Sequence, residues 1–255
     1  MDNNLDLLLK TLTDKKNRLD SFRPLPPELV KNLKDWFRVE LTYTSNAIEG
    51  NTLTRQETAL VIEKGLTVEG KPLKDHLEAT NHAEALDYLK NLVNKKHTEI
   101  SENDILDIHK LVLQKIDQDN AGRYRTVPVR IAGSEVIMPN PLKVPDLMHE
   151  LISWLKSAVG HPATLAADIH FKLVSIHPFV DGNGRTARLL MNLVLLQTGY
   201  TPAIVSNQIR SRYINAIEQA QLGGSLDDYY QIIYQAIDKS LNIYLEAVDT
   251  KHTPS

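Results

Sequence analysis

Positions 177 to 188 read His-Pro-Phe-Val-Asp-Gly-Asn-Gly-Arg-Thr-Ala-Arg. His177, with an ordinary pKa of roughly 6.5, can take a proton at neutral pH. Asp181 is a hard oxygen ligand suited to Mg2+, which takes one carboxylate together with phosphate oxygens and waters. Gly182 and Gly184 permit positive φ, so successive backbone N–H groups can turn toward one point at the start of a helix. Such a helix N-terminus is an anion site carrying about half a positive charge. Arg185 and Arg188, three apart, share a side of the first turn, where two cations oppose the helix dipole and call for an anion between them. Metal, anion cradle, arginine clamps and base are the parts of phosphoryl-type transfer. Each piece alone has an ordinary structural meaning; their occurrence in one run carries the functional reading. A histidine metal site from His161, His170 and His177 is weakly specified, and His170 reads better as a packed residue.

The elements that hold this run are helices. Pro162 to Ile176 has an apolar face (Leu165, Ile169, Leu173, Ile176) and stops before Pro178, because proline disfavours a helical residue ahead of itself. Arg185 to Gln197 forms a second, strongly apolar helix. Upstream, Leu5 to Leu19 is amphipathic, Arg23-Pro24-Leu25-Pro26-Pro27 is a connector, and Pro27 opens a helix to Ile48 with Gly50 past its end. Thr54-Arg55-Gln56-Glu57 is a capping box. Further helices fall at about 74–92, 102–114, 145–158, 208–221 and 226–248. The one strand signal is 124–138, where β-branched residues flank Ala132-Gly133-Ser134 as in a short hairpin. The class is mainly α, a helical bundle with one short β-hairpin.

Composition narrows the function. The 255 residues carry a formal net charge of -3, so no global basic field points to nucleic acid. There is no cysteine, which excludes disulfides, thiol catalysis and Cys-ligated metals. Met1-Asp2-Asn3-Asn4-Leu5 lacks the features of a signal peptide, and the apolar window 189–196 is too short for a membrane span of about 20 residues. A cytoplasmic protein without membrane or nucleic-acid partners is expected.

The run 177–188 resembles the signature of the Fic/Doc family, His-Pro-Phe-x-(Asp/Glu)-Gly-Asn-Gly-Arg-x-x-Arg, at every specified position. The resemblance spans roughly Leu41 to Leu245. It implies a Fic-type helical bundle and a protein adenylyltransferase, which moves AMP from ATP to a Ser, Thr or Tyr hydroxyl of a target protein with Mg2+. By position it implies His177 as the base and Asp181 as the Mg2+ ligand. Gly182, Asn183 and Gly184 would cradle the α-phosphate, and Arg185 and Arg188 would hold the β- and γ-phosphates. Tyr213 falls where relatives contact the adenosine; Gln221, where relatives often have Asn, departs from the pattern. Phe179 is expected to anchor the loop in the core. The hairpin, with Val129, Arg130, Ile131, Ala132 and Gly133 at its centre, is similar to the family's flap, which pairs with an extended target segment.

Ser45-Asn46-Ala47-Ile48-Glu49-Gly50 is similar to the family's inhibitory motif (Ser/Thr)-x-x-x-Glu-(Gly/Asn). Glu49 at a helix C-terminus opposes the dipole and needs a cationic partner. Arg188 is that partner by expectation, in a bidentate pair that withdraws the γ-phosphate clamp. The expected organisation is therefore 1–95 as an N-terminal region with the inhibitory helix at about 27–49, 96–248 as the catalytic core, and 249–255 as a tail. Two alternatives stand beside autoinhibited AMP transfer. One is a de-AMPylase, or a bifunctional enzyme, in which Glu49 orients water. The other is a nucleotide-binding scaffold without turnover, for which His177 would be superfluous. Apolar faces on the first two helices are compatible with a homodimer.

Overall fold

Residues 185–195 form a helical stretch in which every residue is buried, and the rest of the molecule is arranged around it. A helix apolar on all sides must be enclosed by others. In the computed structural model, which describes residues 3–249, that enclosure consists entirely of helices among the described residues. They are α1 (Asn3–Ser21), α2 (Pro27–Ile48), α3 (Arg55–Lys64), α4 (Leu73–Leu92), α5 (Glu102–Leu113), α6 (Val144–Ser157), α7 (Pro162–Ile176), α8 (Asn183–Gln197), α9 (Arg210–Gln221) and α10 (Asp227–Asp249).

The boundaries follow local chemistry. Pro27 and Pro162 open α2 and α7 at positions whose N–H would lack an intrahelical partner anyway. Thr54 and Glu57 cap α3 reciprocally, and Gly65, left-handed at φ 64°, ends it. Ser101 and Asp104 do the same at the start of α5.

α7 and α8 pack side by side, α1 lies along α10, and α4 bridges α2, α5 and α8. The main apolar cluster draws on Leu5, Leu12 and Leu19 of α1 as well as Leu241 and Leu245 of α10, so one core runs across position 95/96. Each fully buried leucine or isoleucine there contributes roughly 1.5–3 kcal/mol. A smaller cluster (Leu29, Leu33, Phe37, Leu41, Val248) seats α2 against the end of α10. The expected tail lies, from residue 250 onward, outside the described residues. No helix among the described residues is long and apolar enough to cross a membrane.

The expected β-hairpin is not formed. The Ala132-Gly133 turn exists, with Gly133 at φ 78° and Ser134 N–H bonded to the Ile131 carbonyl at 3.1 Å, but no strand ladder joins its arms. Pro128 removes one donor from the first arm. The other groups are claimed from outside: Glu218 of α9 accepts from Ser134 Oγ and from Glu135 N–H, at 2.8 and 2.9 Å. The guanidinium of Arg125 takes the carbonyls of Val127 and Pro139.

Candidate active site

The loop between α7 and α8 is built by its own side chains. α7 ends at His177, in the left-handed region at φ 51°, a strained conformation for a non-glycine residue. Phe179 is fully buried and stacks on His109 of α5 with ring centroids 3.6 Å apart. His109 accepts from Gly122 N–H through Nδ1, so Nε2 carries the proton and donates to the Asp181 carbonyl at 3.0 Å. Burial pulls His109 down to about 4, so this donor arrangement persists at neutral pH. Gly182, at φ 77°, starts α8; a Cβ there would press on Val112 and His109, at 3.2 and 3.4 Å. Glycine is required both by conformation and by space.

Asn183 has a structural part besides the expected one. Its Oδ1 accepts from Phe179 N–H and its Nδ2 donates to the Phe179 carbonyl, both at 2.9 Å, and the residue is buried. Its amide thus staples the loop through one N–H and one lone pair, and the second Nδ2 N–H remains beyond these two bonds. The N–H groups of the loop and first turn remain as the cradle.

His177 Nδ1 lies 3.3 Å from the Val174 carbonyl, which can only accept, so Nδ1 carries the proton and Nε2 is left as the basic nitrogen. Burial lowers the pKa of His177, only partly offset by that bond. Asp181 is half exposed; burial raises its carboxyl, but Arg185 and the Gly182 N–H at 2.6 Å outweigh this and hold it below the ordinary value. One ionised, accessible carboxylate fits Mg2+ bound chiefly through phosphate and water. Among the described residues no cluster of three or more His, Asp or Glu side chains could hold a metal by itself. The suggested histidine set does not assemble: His161 bonds Thr13 and Ala163 N–H, and His170 lies among tyrosines.

Both arginines are buried, 2 % and 5 % exposed, and each meets a carboxylate from the N-terminal half. Arg185 Nη1 is 3.0 Å from Glu78 Oε1 of α4, yet its Nε and Nη1 have no hydrogen bond of acceptable geometry. Unsatisfied N–H groups on a buried guanidinium are costly and suit an incoming anion. Arg188 is brought together with its expected partner Glu49, and with Ser45 of the same motif. Its Nη2 donates to Glu49 Oε1 at 2.7 Å and to the Ser45 carbonyl at 2.9 Å, and its Nε donates to Ser45 Oγ at 2.9 Å. The pair is not bidentate: Glu49 contributes one oxygen, and Ser45 fills the rest of the fork. Burial pulls Arg188 down, but Glu49 and Tyr213 leave its pKa above the ordinary value.

Tyr213, expected beside the adenosine, is 1 % exposed and offers no face to a nucleotide. Its hydroxyl bonds His170 Nε2 at 2.6 Å, while His170 Nδ1 bonds Tyr229 and Tyr229 O–H donates to the Ala167 carbonyl. That last bond fixes every proton in the chain. His170 donates through Nδ1, Tyr213 donates to Nε2, and the Tyr213 oxygen is left as an acceptor facing Arg188. Gln221 is turned to Ser175 Oγ at 3.2 Å.

Arg125 was not legible as a site residue. It is 2 % exposed, and its Nε donates to the His177 carbonyl at 2.8 Å while Nη1 and Nη2 hold Val127 and Pro139. One side chain thus ties the extended 127–139 segment to the base.

A Fic/DOC family pattern matches residues 99–195, which include the His177–Arg188 loop. The structure of C. elegans Fic-1 (residues 134–508) superposes with a TM-score of 0.88 at 31 % identity, covering 97 % of this chain and 73 % of that one. A Fic-domain signaling protein from Bacteroides thetaiotaomicron superposes with a TM-score of 0.84 at 30 % identity, covering 95 % and 97 %. The chain belongs to the Fic/DOC family. Fic relatives named protein adenylyltransferase Fic, from Nematostella vectensis and Drosophila grimshawi, are 34 % and 36 % identical over 93 % and 94 % of this chain. The chain spans 56 % and 49 % of those two Fic proteins, about half their length.

Proposed function

We propose that the protein is a protein adenylyltransferase held off by Glu49. ATP and a target protein with a free Ser, Thr or Tyr hydroxyl are its substrates, and Asp181 would bind the Mg2+ that neutralises phosphate charge. His177 Nε2 takes the hydroxyl proton. The hydroxyl oxygen bonds to the α-phosphorus, the bond to the bridging oxygen breaks, and pyrophosphate leaves with Arg185 and Arg188 against it. The proton on His177 then passes to solvent. The Gly184 N–H would face the α-phosphate as charge builds, while the Gly182 N–H is held by Asp181 Oδ1. The names of the full-length relatives support this reading, as does the complete motif.

The extended 129–133 segment, with no ladder of its own, leaves backbone groups for a target strand. Residues 1–95 act as the regulatory part and 96–248 as the catalytic part.

The observation that carries the regulatory half is the 2.7 Å bond from Arg188 to Glu49. A clamp occupied by a carboxylate is withheld from a γ-phosphate. The test is intact-mass analysis after incubation with Mg-ATP. Glu49→Gly should gain AMP on itself or a target far faster than wild type, and His177→Ala in that background should gain none. Equal labelling of wild type and Glu49→Gly would sink the inhibition; addition of phosphate instead of AMP would sink the transfer.

AMP removal is favoured by a separate observation. Glu49 Oε1 lies so near Gly184 that a Cβ there would collide with it, which puts a carboxylate beside the α-phosphate cradle, where it could orient water. In that case Glu49→Gly loses AMP release from a modified target.

A further inference from the structure

On the flank of α2 away from Arg188 lies a cavity of about 690 Å³, enclosed by α2, the start of α3, the turn at 206–209 and α10. Its size is that of a small-molecule site. Ser240 of α10 lines it, is 1 % exposed, and its hydroxyl has no hydrogen-bond partner. Trp36, 39 % exposed, and Tyr43 give it aromatic walls, while Gln56, Gln208 and Gln235 supply amides.

The charges at its rim do not cancel. Glu40, whose side chain is 5 % exposed, pairs with Arg55 at 2.8 Å, and Arg55 is otherwise open to solvent. Lys239 is exposed and has no carboxylate within ion-pair distance among the described residues. The surplus is one positive charge beside an aromatic wall. That combination suits a flat ring carrying an anionic group.

The cavity also sits on the two bonds that fix the end of α2. Asn207 Nδ2 donates to the Tyr43 hydroxyl at 3.1 Å, and Arg210 Nε donates to the Ile48 carbonyl at 2.5 Å. Asn207 belongs to the turn that forms one wall, and Arg210, which opens α9, follows that turn directly. Thr44 lines this cavity too, next in sequence to Ser45, which holds Arg188. An occupant that moves the 206–209 turn or the Tyr43 ring moves the last turn of α2, and Glu49 with it.

We infer that this cavity is an effector site for a planar heterocycle bearing an anionic group, the chemistry of a nucleoside monophosphate, and that its occupancy sets how firmly Glu49 holds Arg188. The regulatory part rests on the autoinhibition proposed above; the binding part does not.

Trp36 and Trp154 are the only tryptophans, so in Trp154→Phe the fluorescence reports Trp36 alone. The probes are GMP and CMP, because adenine nucleotides also enter the proposed transfer site. Saturable quenching is expected, weakened about tenfold or more by Lys239→Glu, the loss of one charge-assisted contact. Ser240→Leu, which fills the cavity, should abolish it, with the melting temperature confirming a folded protein. Self-labelling by wild type in Mg-ATP should change severalfold with the probe, and labelling by Glu49→Gly should not. No quenching by either probe, or quenching untouched by Lys239→Glu, overturns the site. Quenching with no change in wild-type labelling overturns its coupling to Glu49. If Glu49→Gly transfers no AMP, the proposed activity fails, and the quenching result still decides the site.

Discussion

Arg125 reaches the carbonyl of His177 with Nε at 2.8 Å and, with Nη2, the carbonyl of Pro139 at 2.6 Å. Among the described residues no carboxylate pairs with it, and burial alone lowers its pKa. Arg125→Met keeps the stem and removes the fork. It should cost about 3 kcal/mol of stability, since a hydrogen bond to a charged group is worth roughly 1.5–3 kcal/mol and three bonds are lost, with partial compensation by water. In a Glu49→Gly background it should lower kcat for target modification while leaving KM for ATP nearly unchanged. A pure rise in KM for ATP would assign Arg125 to the nucleotide instead.

His177 must be neutral to act as a base, and burial lowers its pKa below the ordinary imidazole value. The acid limb of kcat/KM for Glu49→Gly should therefore lie below about pH 6.5. A limb above that value would mean that His177 is not the group titrating.

Asn183→Ala removes the two bonds that close the loop on Phe179. Leaving buried backbone groups unpaired costs about 1–3 kcal/mol each. The variant should melt several degrees lower and lose activity together, whereas a phosphate ligand would show mainly as weaker ATP binding in calorimetry.

Tyr213→Phe takes the proton donor from His170 Nε2 and the acceptor from Arg188. In the Glu49→Gly background its KM for ATP should rise severalfold with kcat little altered. An equal loss in kcat and in kcat/KM, with KM unchanged, would point to a direct role in the chemical step.

His82 and His170 are buried, and burial, aided by nearby arginines, lowers each to about 3. Their native pKa lies below the unfolded value of about 6.5, so protonation favours the unfolded chain. The stability they confer is complete above about pH 6.5 and is lost progressively as pH falls toward 3. Urea titrations should show the midpoint declining already between pH 6.5 and 5, before most carboxylates titrate. A flat midpoint over that window would contradict it.

The helices were legible because their punctuation is local. Pro27, Pro162, Thr54 with Glu57, Gly65 and Ser101 act within a turn of where they stand, and a reader of the chain sees them. The loop was legible for the same reason. The hairpin was not, because its fate depends on Arg125 and Glu218, and the latter lies 84 positions from the Ser134 hydroxyl it takes. Glu78 escaped notice too: on α4 it looks like any helix glutamate until folding sets it against Arg185. The resemblance implies ligand contacts for Tyr213 and Asn183 by position, and only packing reveals the bonds their polar atoms make to His170 and Phe179.

The closeness of Glu49 to Gly184 has one more consequence. The positive end of α8 already has an anion, and that anion is covalently part of the protein. Under the proposed autoinhibition, Glu49 would be a tethered competitor of the ATP γ-phosphate, present at a high and fixed effective concentration. Its blockade should not weaken on dilution of the protein, and added ATP must overcome a local concentration set by geometry. The strength of the block is therefore a property of the spacing between α2 and α8, a mechanical setting more than a chemical one.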